Sequence, residues 1–262
     1  MNTSGQPLTY AGLRAERHGE PDGRPPFVLL HGLGGDRSQW GPLLRALEVC
    51  DPGRSVLAVD LPGHGQSPLL GRQGLDDVAA VVHQAVGEAG LAAPVVVGHS
   101  LGGAIATAYA AVYPVLGAVN IDQPLWVAGF AAMLRDNEQL LRGPGYGTLW
   151  NRLAGGMGID ELPPDVRGLA GQSTVPAQEL LLGYWDELLS TPAPELQERH
   201  AERLARIAAD GTAYHYVAGA EPDPEYRRWL CAALPEAIVT VLPKGGHFPH
   251  LAHPERLARL LA

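Results

Sequence analysis

A chain of 262 residues can bury one large core, and 46% apolar with 18% charged residues is the balance of a compact folded domain. No run reaches the roughly 18 apolar residues needed to cross a bilayer, so no membrane span is expected. The net charge is −9, Lys244 is the single lysine and the arginines are scattered, which argues against a phosphate-tracking surface and so against nucleic acid as a partner.

Residues 1–26 lack the charged start, apolar middle and small-residue cleavage site of a secretory signal, so a cytoplasmic location is expected. Within them, residues 8–18 read as an edge hairpin with Gly12 near its turn, followed by a Pro-Gly-rich connector. Short apolar runs then alternate with helical patterns, which predicts an α/β architecture: a mostly parallel sheet covered by helices. The runs are residues 27–30, 55–59, 94–97, 115–121, 214–218 and 237–242, each read as a buried strand. Over residues 76–89 the positions Val78, Val81, Val82, Ala85, Val86 and Ala89 fall on one helical face, with Asp76 placed to cap the start and Gly90 the end.

The rhythm breaks at residues 123–191, which hold Trp126, Phe130, Met133, Trp150, Met157, Tyr184 and Trp185, many glycines and prolines, and no obvious strand. This segment is expected to be a helical lid, with residues 1–122 and 192–262 forming the core domain. An aromatic at helical spacing is more often core than binding site, so an ordinary helical elaboration that packs its aromatics inward carries nearly equal weight. Residues 195–209, with Leu196, Leu204 and Ile207 on one face, lead back into the strand at 214.

Three motifs carry chemistry. Gly98-His99-Ser100-Leu101-Gly102 lies between an apolar strand and a helical run, the context a nucleophile elbow needs. The strand must turn sharply while presenting Ser100 in a strained conformation, so side chains two residues to either side collide and glycine is required. His31-Gly32-Leu33-Gly34-Gly35 follows an apolar strand; the N–H groups of Leu33 and Leu101 are expected to form an oxyanion hole, with Gly32 beside the substrate. No G-K-[ST] follows and the spacing fits no dinucleotide fingerprint, so a nucleotide site is rejected. Gly245-Gly246-His247-Phe248 comes after the last strand, and a serine hydroxyl needs such an imidazole to take its proton. Among the other histidines, His31 is read as shaping its loop, His99 as pointing away from the nucleophile's side chain, His64 as lying in a turn and His253 as capping the last helix. His250 competes with His247 by position. Cys50 and Cys231 are far apart and outside any metal-ligand spacing, so neither a disulfide nor a metal is expected.

On these residues the chain resembles the α/β-hydrolase superfamily, as does Asp60-Leu61-Pro62-Gly63-His64-Gly65-Gln66-Ser67, which is similar to that family's loop after an early strand. The resemblance covers nearly everything outside residues 123–200. It implies a central sheet, a lid inserted after the sixth strand and no cofactor. A serine at the elbow disfavours the superfamily's epoxide hydrolases and haloalkane dehalogenases, which need an aspartate there. In most members the triad's acid lies three residues after a glycine that follows the penultimate strand. Counting from Gly219, that position is Pro222. Asp223 and Glu221 flank it, while Asp122, after the strand that follows the nucleophile helix, matches the position used by pancreatic-type lipases and zearalenone-type lactonases. Asp122 comes first among these, then Asp223 and Glu221.

The expected activity is cleavage of a small-molecule carboxylic ester or lactone through an acyl-enzyme on Ser100. Trp126, Trp150 and Trp185 suggest an apolar or aromatic substrate group. A carbon–carbon bond hydrolase, thioesterase or perhydrolase would use the same residues. The competing reading from another class is a small-molecule receptor on the same fold with a vestigial triad. A lid that serves only dimerisation is a third; either a monomer or a dimer is compatible with the sequence.

Overall fold

The computed structural model describes residues 7–170 and 175–262; residues 1–6 of the N-terminal stretch and 171–174 of the expected lid lie outside the described residues. β1 (Pro7–Tyr10) and β2 (Leu13–His18) form the edge hairpin, turning through Ala11 and Gly12, both at positive φ. β3 (Phe27–Leu30), α1 (Gly41–Cys50), β4 (Val56–Val59), α2 (Leu75–Glu88), β5 (Val95–His99), α3 (Leu101–Ala110) and β6 (Gly117–Ile121) follow in strict alternation. After β6 come α4 (Ala128–Asp136), α5 (Glu138–Arg142), α6 (Tyr146–Gly155) and α7 (Gln178–Ser190), then α8 (Ala193–Ala209) and β7 (Ala213–Ala218). The chain closes with α9 (Pro224–Ala233), β8 (Ile238–Val241), α10 (Pro249–Ala252) and α11 (Pro254–Leu261).

Among the described residues eight strands form one sheet in the order β1-β2-β4-β3-β5-β6-β7-β8; the β1–β2 and β2–β4 pairings are antiparallel and the other five are parallel. Side chains alternate across a strand, and the six apolar runs supply both faces. Val28, Leu30, Leu57, Val59 and Val96 pack with α2 and α3, whereas Phe27, Leu29, Val56, Ala58 and Val97 pack with α1 and α11. β8 departs from the expected buried strand. It is the sheet edge, so it has a neighbour on one side only, and Ile238 is exposed.

α2 buries Val78, Val82, Ala85 and Val86 and ends before Gly90 at φ 68°, in line with the sequence pattern. Its start is different. The helix begins at Leu75 with Gly74 at the N-cap, so Asp76 lies inside the first turn and is paired with Arg203 of α8 at 3.0 Å instead of capping.

The helical insertion after β6 forms the lid, and its helices share a small core of Leu134, Leu141, Leu149, Trp150, Leu181 and Trp185. The strand order places the site: β3 is flanked by β4 on one side and β5 on the other, so the loops leaving β3 and β5 diverge and open a crevice at the strands' carboxyl ends. Cys50 and Cys231 are both free thiols. Among the described residues, no helix is long and apolar enough to cross a membrane and no group of three or more His, Cys, Asp or Glu can hold a metal ion.

Candidate active site

Ser100 occupies the turn between β5 and α3 with φ 51° and ψ −124°, a backbone conformation that L-residues rarely adopt. Two close approaches hold it there. A Cβ on Gly98 would lie 1.9 Å from the Gly102 carbonyl oxygen, and one on Gly102 would lie 2.1 Å from the Leu30 carbonyl oxygen, so the elbow closes only with glycine at both positions.

The Ser100 hydroxyl is 2.9 Å from His247 Nε2. On the other side of that ring, His247 Nδ1–H donates to Asp122 Oδ2 at 2.8 Å, which leaves Nε2 unprotonated and able to accept the serine proton. The second carboxylate oxygen, Oδ1, accepts the Gly219 N–H at 2.9 Å, so one residue ties together the ends of β6, β7 and the His247 loop. His247 is held from the lid side as well, its N–H donating to the Met157 carbonyl at 3.0 Å.

Asp122 is itself at positive φ, 54°, a conformation Asp tolerates better than most residues. Asn120 braces that turn. Its Nδ2 donates to the Gln123 carbonyl at 2.9 Å and its Oδ1 accepts the Gln123 N–H at 3.2 Å, so the side chain spans Asp122. Tyr214 and Thr107 anchor it, with Asn120 Nδ2 3.1 Å from the Tyr214 hydroxyl and Thr107 Oγ1 2.8 Å from the same oxygen. Asn120→Leu, which keeps the branched shape and removes the brace, is expected to lower kcat about 10²-fold through a displaced carboxylate while KM changes little. Loss of the low-field His247 Nδ1–H proton resonance, with the melting temperature still cooperative, would separate this from general unfolding.

The loop after β3 is fixed by two buried histidines. His31 Nε2 accepts the Leu61 N–H at 2.9 Å, so its proton is on Nδ1, which donates to the Gly32 carbonyl at 2.8 Å. His64 Nε2 accepts the Gly34 N–H at 3.1 Å and Nδ1 donates to the Pro62 carbonyl at 3.0 Å. Both rings are read as neutral: burial lowers His31 to about 4 and, with the nearby His31, lowers His64 to about 3. The Asp60 loop explains the second glycine-rich motif. Asp60 is fully buried, pairs with Arg37 and accepts the Arg37 and Gln66 N–H groups at 2.9 and 3.0 Å. Gly32, Leu33 and Leu101 line the cavity beside Ser100, and Leu101 opens α3, so its N–H has no acceptor within the helix.

The remaining histidines separate from the relay. His99 does turn away from the Ser100 hydroxyl, but toward the back of His247, whose carbonyl accepts its Nε2–H at 2.7 Å. His250 is buried between Trp40 and His99, with ring centroids 5.0 and 4.3 Å away, and among the described residues neither of its nitrogens has a hydrogen-bond partner. His253 occupies the N-cap position of α11 without capping it: its Nε2–H donates to the Pro243 carbonyl at 2.5 Å.

Burial also makes these histidines acid-sensitive. It lowers His31 and His200 to about 4 and His64 and His250 to about 3, whereas each takes up a proton near about 6.5 in the unfolded chain. Between those values the unfolded state binds more protons, so stability is full above about pH 6.5 and is lost as pH falls toward about 4. His250→Leu removes two unpartnered nitrogens along with one such group. Thermal melts across pH 4–7 should show a shallower acid fall than the parent, with no loss of stability at pH 7; an unchanged slope would count against burial as its cause.

Asp223 and Glu221, the other carboxylates expected from the sequence, do not meet His247. Asp223 stands at the N-cap of α9, accepting the Glu225 and Tyr226 N–H groups at 2.8 and 3.1 Å, because Pro224 starts that helix directly after it. Glu221 is at the surface, 3.5 Å from Arg227.

All of this opens on a cavity of about 800 Å³ lined by Ser100, His247, Asp122 and the lid. Trp150 and Trp185 are buried in the lid's own core and also line the cavity, so packing and pocket are the same residues here. Trp126 is at the rim, partly exposed and edge-on to Tyr226. Phe130, Met157 and Tyr184 line the cavity too, while Met133 packs in the lid. His200 and Arg203 of α8 also line it, and the sequence reading passed over them. Their signal was available: they share the stripe of Leu196, Leu204 and Ile207 and are the polar residues on an otherwise apolar face.

Fold and site define a class, the serine hydrolases that cleave esters or lactones through an acyl-enzyme. The chain belongs to the alpha/beta hydrolase family, whose model matches residues 27–260. It is 31% identical over 259 residues to a pimeloyl-[acyl-carrier protein] methyl ester esterase of Chromobacterium violaceum, covering 91% of this chain and 93% of that one. Among solved structures, it is similar to a hydrolase from Pseudomonas aeruginosa with a TM-score of 0.75 at 18% identity, covering 100% of this chain and 98% of that one. It is also similar to a thermophilic esterase from Thermogutta terrifontis with a TM-score of 0.73 at 19% identity, covering 98% and 96%. At these identities the two structures speak for the fold.

Proposed function

We propose that the chain hydrolyses carboxylic esters or lactones bearing an apolar or aromatic group, with Ser100 as nucleophile, His247 as general base and acid, and Asp122 as the acid that orients it. The observation that carries this reading is the continuous relay from Ser100 through His247 to Asp122, at 2.9 and 2.8 Å, opening on a largely aromatic and aliphatic cavity. The name of the Chromobacterium violaceum relative, a methyl ester esterase, supports cleavage of an ester.

In the reaction, the Ser100 oxygen attacks the carbonyl carbon as its proton passes to His247 Nε2. The N–H groups of Leu33 and Leu101 hold the oxygen as it gains charge, and the N-terminus of α3 adds its positive end. His247 then gives the proton to the departing alkoxide, leaving an acyl group on Ser100 that water removes by the same steps. Gly32 leaves room for the carbonyl, and Trp126, Trp150 and Trp185 enclose the apolar group, with residues 123–191 acting as the lid over residues 1–122 and 192–262.

The test is p-nitrophenyl ester turnover together with labelling by a fluorophosphonate. Turnover with label on Ser100 is the expected result. Absence of both, in protein that melts cooperatively, would return the receptor reading to the front.

A further inference from the structure

The substrate cavity has a second polar site, on α8, whose side chains take no part in the Ser100–His247–Asp122 relay. Arg203 and His200 line the cavity and are buried, at 8% and 4% exposure, although charged and polar side chains on an apolar stripe are costly to bury without partners. Arg203 is only partly satisfied. Its Nη2 donates to both Asp76 oxygens at 3.0 Å, and among the described residues Nε and Nη1 have no protein acceptor. His200 Nδ1 is buried and has no hydrogen-bond partner among the described residues.

Asp76 compensates the guanidinium weakly, because its own side chain is 69% exposed and an ion pair with so solvated a partner is worth little. Three of the cavity's other carboxylates are held elsewhere, Glu187 by Arg199, Glu221 by Arg227 and Asp223 by backbone N–H groups, and Glu161 lines it beside Gly158. Among the described residues Arg203 is the one lysine or arginine that lines the cavity, and its open donors can make charge-assisted bonds to a ligand there.

We propose that Arg203 and His200 form a subsite for a free carboxylate at the distal end of the substrate, so that the preferred substrates are hemi-esters of dicarboxylic acids. The guanidinium fork matches a carboxylate, and the neutral imidazole supplies one further N–H, since burial and then Arg203 lower His200 to about 4. Leu101, Ala104, Tyr184 and Leu188 line the same cavity, which suits a methylene chain or ring between the two carbonyl groups.

This rests on the ester-hydrolase reading, and two measurements keep the failures apart. The first is calorimetric binding of monomethyl adipate and dimethyl adipate to the Ser100→Ala protein, which needs no turnover. The monomethyl ester should bind about 10- to 100-fold more tightly, as hydrogen bonds to a charged group allow, and a second substitution, Arg203→Met, should erase the difference. Equal affinities in the Ser100→Ala protein would overturn the subsite whatever the catalytic outcome. The second is the ratio of kcat/KM for the p-nitrophenyl hemi-ester of adipic acid to that for p-nitrophenyl hexanoate. Arg203→Met should lower the ratio by a similar factor, Arg203→Lys should restore part of it, and Asp76→Asn, which frees the guanidinium, should raise it. If Arg203 and Asp76 only clamp α8 to α2, both Arg203→Met and Asp76→Asn lower the melting temperature and neither moves the ratio. Turnover of the hexanoate with no preference for the hemi-ester would sink the subsite alone, leaving the hydrolase reading in place.

Discussion

Asp122→Asn is expected to lower kcat about 10⁴-fold on a simple ester while the melting temperature and KM stay near those of the parent. The size of the loss comes from the tautomer rather than from charge alone. With a carboxylate on Nδ1, His247 keeps its proton there and presents a bare Nε2 to Ser100. An amide can donate its own N–H to Nδ1, which favours the tautomer protonated on Nε2 and removes the base from the serine. The Gly219 N–H still finds an oxygen on the asparagine, so the turn between β6 and β7 survives. Asp223→Asn and Glu221→Gln serve as comparisons. Asn caps a helix as well as Asp does, so α9 keeps its start, and Glu221 has only a surface ion pair to lose. Each is expected to remain within about twofold of the parent, in keeping with surface changes that shift stability by about 0.5 kcal/mol or less. Steady-state kinetics on the three variants decides the matter: a 10⁴-fold loss in Asp223→Asn or Glu221→Gln, with Asp122→Asn active, would transfer the acid's role to the loop before α9.

What could be read ahead of the structure follows from how local each signal is. The elbow at Ser100 is legible because its glycines stand in a short fixed spacing around the serine, although a Cβ on Gly102 would meet the Leu30 carbonyl of a neighbouring strand, and the strand before and helix after are strong periodic patterns. His247 is legible for a similar reason, since the loop that carries it follows an apolar run. The carboxylate was harder. Asp122 meets His247 across a sequence separation of 125 residues, and no local pattern distinguishes an aspartate that binds an imidazole from one that caps a helix, as Asp223 does. The start of α2 failed on the same ground: Asp76 has the composition of a cap, but its partner is Arg203, 127 residues away. The brace on Asp122 left a fainter trace, a fully buried asparagine in an otherwise apolar β6. The lid's aromatics could not be sorted into core or pocket because Trp150 and Trp185 belong to both.

Ser100→Ala is expected to lower turnover about 10⁶-fold, and the activity left over would be the contribution of the oxyanion donors and of binding. The relay acts as a unit, so Ser100→Ala combined with His247→Ala should cost little more than either change alone; additive losses would mean that the two side chains serve separate steps. The alanine lacks the nucleophile but not the backbone: Gly98 and Gly102 still force the elbow, and residue 100 still adopts φ near 51°, a conformation alanine tolerates no worse than serine. Stability should therefore be retained or slightly increased, since a strained polar group facing the cavity is exchanged for a small apolar one. In rapid-mixing experiments the parent is expected to show a burst of p-nitrophenol equal to the concentration of enzyme, followed by slower deacylation, and the variant none. The same variant separates catalysis from recognition. A receptor on this fold would bind its ligand and move its lid with alanine at position 100 as readily as with serine, so ligand-induced protection of α4 and α7 from hydrogen exchange in both proteins, with no burst in the parent, is the pattern that would displace hydrolysis as the function of this site.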